Sequence, residues 1–200
     1  MSAYRFKALR GNSHELDKLL LHGDADLIIG LPPFHVQDVE IVPICREEIL
    51  LAIPDTILEN YFPGHIEDVR QKLQDNSGLS LLNNCPFVML RSGNRVRTIA
   101  NEVLTEAQVT PDIVLEAENI ETVVALAEKG MGITFYPKMF AAGPSGEPHS
   151  AHPFQSLTLC PLKHPMAHST LAIGYHKSHY MSQATKEFIK MTQELFANKK

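Results

Sequence analysis

Cysteine is scarce in this 200-residue chain: Cys45, Cys85 and Cys160 are odd in number, widely separated and in no CxxC pair. No full disulfide framework can form from them, and a reducing compartment, the cytoplasm, is the expected setting. Positive charge is short as well, with 18 Lys and Arg against 23 Asp and Glu and a formal net charge of -5. Nothing in that balance draws the chain as a whole toward nucleic acid or anionic lipid, so any DNA contact belongs to another segment. No window reaches the 18 or so consecutive apolar residues of a membrane-spanning helix, and residues 1–15 lack the apolar core of a secretory signal. A soluble, unexported protein is expected. Recognisable catalytic motifs are missing too: there is no GxSxG, Walker loop, GxGxxG or HExxH. With 11 Gly, 13 Pro, 44% hydrophobic and 20% charged residues, the composition is that of a folded globular chain with one or two domains.

What is present alternates between short apolar runs and helical periodicity. Asn12-Ser13-His14, Leu16, Leu19, Leu20 and Gly23 read as a capped and glycine-stopped helix. Residues 26–30 follow as a buried strand. Two further strands are expected over 39–44 and 49–53, broken by the charged Arg46-Glu47-Glu48 and closed by Pro54. Ile66, Val69 and Leu73 mark one helix face, residues 86–90 a strand and Arg91-Ser92-Gly93-Asn94 a polar turn. Val96, Ile99, Ala100, Val103, Leu104 and Ala107 then form an unbroken helical stripe. Residues 112–117 read as a strand, Asn119 as the cap of a helix stopped at Gly130-Met131-Gly132, and 133–136 as a strand. Residues 141–153 are Gly-, Pro-, Ser- and His-rich and read as an exposed loop. Strands over 157–160 and 170–175 and a terminal helix after Ser182 complete the chain. The alternation predicts an α/β fold with largely parallel sheets, helices on both faces and ligand sites at the carboxyl ends of strands.

Three helix starts carry polar residues where free N–H groups and the helix dipole favour an anion: Ser13 with His14, Ser92 with Gly93 and Asn94, and Asn119. The same residues are equally readable as plain caps. Thr134 stands out because a hydroxyl within an apolar strand needs a partner, either backbone or ligand. Ten histidines invite a metal site, best placed around Cys160, His164 and His168 with His149, His152, His176 and His179 nearby. Pro161 and Pro165 interrupt helical presentation there, so solvated loop histidines and no metal are expected. The acidic pairs Glu47-Glu48 and Glu116/Glu118 read as exposed surface charge. No cofactor is implied.

Three stretches together resemble the effector-binding domain of LysR-type transcriptional regulators: Arg10 to Leu16 leading to Gly23-Asp24-Ala25-Asp26-Leu27-Ile28-Ile29-Gly30; Pro86-Phe87-Val88-Met89-Leu90 with its turn; and Glu118-Asn119-Ile120-Glu121-Thr122 running to Gly130-Met131-Gly132-Ile133. The resemblance covers almost the whole chain. It implies two Rossmann-like lobes joined by a two-strand hinge, similar to type 2 periplasmic binding proteins, with residues 1–52 and 164–200 in one lobe, 53–163 in the other and crossings near Ala52 and Lys163. It further implies a small organic anion bound between the lobes by Ser13, His14, Leu31, Leu90, Arg91, Ser92, Asn119, Thr134 and Phe135, no enzymatic activity, and a homodimer or homotetramer. DNA contact would reside in an N-terminal helix-turn-helix that this chain lacks, as it lacks the first strand and helix of the family's effector domain. A stand-alone solute-binding protein or a small-acid enzyme on the same fold is the alternative.

Overall fold

The computed structural model describes residues 5–140 and 156–197; the loop expected over 141–153 lies outside the described residues. Helix α1 (Ser13–His22) forms where its periodicity places it, with Asn12 as N-cap. Asn12 Oδ1 accepts from the Glu15 N–H at 3.0 Å, and Glu15 Oε2 accepts in return from the Asn12 N–H at 3.0 Å, a reciprocal arrangement that satisfies two otherwise orphaned donors. Gly23 ends the helix at φ 77°, where a side chain would be strained. Strand β1 (Ile28–Gly30) follows.

Strand β2 corrects one expectation, because Val39–Pro54 runs as a single strand straight through Arg46-Glu47-Glu48. The charges do not break it because strand side chains alternate between faces. Arg46 is exposed and Glu48 half-buried, while Glu47, expected at the surface, turns inward and is only 4% exposed. After Glu48 the strand is buried on every residue from Ile49 to Pro54.

Helices α2 (Asp55–Tyr61) and α3 (Ile66–Gln74) come next. Strand β3 (Pro86–Leu90) is buried throughout and leads into α4 (Arg95–Glu106), whose stripe Val96, Ile99, Ala100, Val103 and Leu104 is buried as its spacing dictates. Strand β4 (Asp112–Ala117), α5 (Ile120–Glu128), β5 (Thr134–Pro137), β6 (Leu157–Pro161), β7 (His168–His176) and α6 (Gln183–Ala197) complete the order. The α2 helix carries no sequence signal beyond a first-turn acid, Asp55, and follows a proline that suggested only a stop.

The expectation of largely parallel sheets is also corrected. β1 pairs β7 antiparallel with Ile28 opposite Gly174. β2 pairs antiparallel with β5, Leu51 opposite Phe135, and with β6, Leu51 opposite Cys160. Parallel pairing joins β3 with β4, and a single parallel bridge links Phe87 with Ile133. Single-residue turns of phase in an apolar run do not announce strand direction, since a buried antiparallel strand and a parallel one both read as continuous apolar sequence.

By contacts the chain divides into two compact units, Met1–Arg46 with Ser169–Lys200 and Glu47–His168. It passes between them twice, within β2 and at the first residue of β7, a few residues from Ala52 and Lys163. In the second unit a core of Ala52, Val124, Ala127, Tyr136 and Leu157 is packed by Ile120 and Leu159. No helix among the described residues is long and apolar enough to cross a membrane.

Candidate functional site

The candidate residues fall into two groups by unit. Ser13, half-buried, and His14, exposed, open α1, and Leu31, half-buried, sits in the turn after β1 just before Pro32 and Pro33, which are joined by a cis peptide bond. Asp17, which sequence reasoning passed over, ties these segments together. Its Oδ2 accepts from the His35 N–H at 3.0 Å, fastening the turn after β1 to α1, and its Oδ1 is buried with no hydrogen-bond partner among the described residues. The available signal was its position: one turn before Leu20, Asp17 lies inside the apolar stripe of α1, where a carboxylate needs a partner.

In the Glu47–His168 unit the structure brings together Leu90, Thr134 and Phe135, which line one shallow hollow with Met89, Val96, Arg97 and Ala100. It lies where β3 ends, α4 begins and β5 begins. β5 reaches this point by pairing with β3 through Ile133, whose N–H donates to Pro86 O at 2.8 Å and whose carbonyl accepts from the Val88 N–H at 2.9 Å. Phe135 stacks on Phe87, ring centroids 6.4 Å apart. Thr134 is 1% exposed.

Arg91, Ser92 and Asn119 are not among the residues lining the hollow. Arg91 is mostly exposed and its Nη1 lies 2.6 Å from Glu118 Oε1, so both members of that pair are surface charge. Ser92 is exposed in the turn. Asn119 spends its Oδ1 on the Thr122 N–H at 2.9 Å as the cap of α5, and Asn94 Oδ1 caps α4 through the Val96 N–H at 2.9 Å.

Arg97 is the residue of this site that the sequence reading missed. Its side chain is 10% exposed. Nε donates to Asn101 Oδ1 at 2.9 Å, and Nη1 donates both to the Leu90 carbonyl at 2.8 Å and to Glu116 Oε1. The fold thus pins the end of β3, β4 and α4 to one guanidinium. The signal was present, because the first turn of α4 carries two arginines, Arg95 and Arg97, and no acid. The helix dipole disfavours cations there, so an arginine in that turn calls for a negative partner.

Among the described residues no group of three or more His, Cys, Asp or Glu could hold a metal ion, and His149 and His152 lie outside the described residues. The other histidines of that cluster have local tasks. His164 Nδ1 accepts from the Met166 N–H at 3.2 Å while Nε2 faces Glu106 at 2.8 Å. His168 Nε2 meets the Leu162 carbonyl at 2.8 Å, and His176 and His179 stack with centroids 4.3 Å apart. Burial pushes the Cys85 and Cys160 thiols up to about 11, so neither is a thiolate near neutral pH.

Glu47 gives this unit a pH-sensitive element. Its Oε1 accepts from the Glu48 N–H at 2.8 Å and the Met139 N–H at 3.1 Å, holding the turn over Lys138–Phe140, while Oε2 is buried without a partner among the described residues. Burial raises its pKa above the ordinary 4.5 against the lowering effect of those N–H donors. A carboxyl whose folded pKa is raised contributes stability that is complete below about pH 4.5 and is lost as pH rises through the folded value. Glu47→Gln keeps the accepting oxygen and removes the charge. The difference in urea midpoint between Glu47→Gln and wild type is expected to move in favour of the variant as pH rises from 4 to about 8, whereas a difference independent of pH would sink this account. Glu128, also raised by burial, is common to both proteins and cancels.

A sequence profile of the LysR substrate binding domain matches residues 4–197. A curated relative from Bacillus subtilis (strain 168), the uncharacterized HTH-type transcriptional regulator YcgK, is 22% identical over 185 residues, covering 90% of this chain and 54% of its own length. The chain therefore spans about half the length of that relative. Among solved structures, the regulatory domain of Synechocystis CcmR in complex with 2-PG is similar at TM-score 0.70 and 15% identity, covering 94% of this chain and 81% of that one. The effector binding domain of QuiR in complex with shikimate is similar at TM-score 0.66 and 16% identity, covering 94% and 79%.

Proposed function

The chain belongs to the LysR substrate binding domain family, and from that membership we propose that it is the sensing part of a LysR-type transcriptional regulator that reads a small organic anion. The observation carrying this reading is the family match over residues 4–197, and the structure gathers the candidates Leu90, Thr134 and Phe135 into one lining. Pockets for small molecules combine an apolar lining with a few placed polar groups, and Thr134 and Arg97 are the polar members of this lining. Shikimate, the ligand of the QuiR domain, is an organic acid of this general kind. Ser13, His14, Leu31, Arg91, Ser92 and Asn119 remain candidate effector contacts within the proposal.

The effector would act by binding one conformation of the regulator better than another, which is all a ligand needs to shift a population. The wider proposal is a cytoplasmic homodimer or homotetramer that reaches DNA through an N-terminal helix-turn-helix domain, in keeping with the net charge of -5 on this chain. Sensing rather than turnover fits the two thiols that burial keeps protonated.

A thermal-shift panel of organic acids, shikimate included, tests the reading on the 200-residue chain. At least one acid is expected to raise Tm, since ligand at 100 times Kd adds about 2.7 kcal/mol, or several degrees for a domain of this size. Thr134→Val is expected to weaken that acid by about 1 kcal/mol, roughly fivefold. Conversion of the acid to product on standing with the protein would overturn the sensor reading, as would a panel in which no acid stabilises it.

A further inference from the structure

We draw no further inference here: the strongest candidate, the apolar surface patch on α6 where Met191 and Leu195 stand exposed on the helix face of Phe188, itself packed by the Phe6 ring, carries nothing because nothing in the structure shows what covers it.

Discussion

Phe87→Ala is expected to lower the unfolding free energy of the Glu47–His168 unit by about 3–5 kcal/mol, the range for removing a fully buried aromatic ring. Phe87 has no exposed surface, lies second in a strand buried on every residue, and stacks on Phe135 at 6.4 Å. Its loss empties a volume that β3, β4 and the Ile133 bridge hold rigid, so little of the cavity can close. Because Phe135 borders the hollow, the ring also supports the candidate site from beneath. Urea denaturation followed by circular dichroism measures the loss, and Phe87→Leu serves as a milder companion, expected at about 1–2 kcal/mol. A change below about 1 kcal/mol for Phe87→Ala would mean that β3 is not the centre of this unit.

Much of the architecture was legible because helical periodicity and caps are local signals. The α4 stripe from Val96 to Leu104 is buried as its spacing requires, and Asn119 caps α5 where the sequence places it. What sequence could not carry was pairing. Leu51 lies opposite both Phe135 and Cys160, contacts between residues more than 80 positions apart that leave no mark on local pattern. Glu47 shows the same limit from the side of charge. Arg46-Glu47-Glu48 looks like a polar break until the backbone N–H groups of Glu48 and Met139 are brought to the inward-facing carboxylate. The site divided along similar lines. Leu90, Thr134 and Phe135 stand as candidates because the stretches around them match a family, whereas Arg97 and Asp17 required asking why a charge sits where a helix dipole or an apolar stripe disfavours it.

Gly132→Ala is expected to cost about 1–3 kcal/mol and to disturb the hollow as well as the fold. The two glycines of Gly130-Met131-Gly132 serve different needs. Gly130, at φ 79°, lets the chain reverse after α5 in a conformation that side chains rarely adopt. Gly132 needs space instead, since a Cβ on it would stand 2.9 Å from the Pro86 oxygen, 3.0 Å from the Phe87 carbonyl carbon and 3.0 Å from the Val88 nitrogen. All three are backbone atoms of a buried strand, so no side chain can swing aside and β3 and β5 must separate. That separation would lengthen the two hydrogen bonds through Ile133 and carry Thr134 and Phe135 away from Leu90 and Arg97. The variant should therefore show a lower urea midpoint, shifted amide signals at Val88 and Ile133, and weaker binding of any acid that stabilises wild type. Chemical denaturation within about 0.5 kcal/mol of wild type, with those signals unmoved, would show that β3 and β5 tolerate the extra methyl and that close backbone approach does not set the geometry of the hollow.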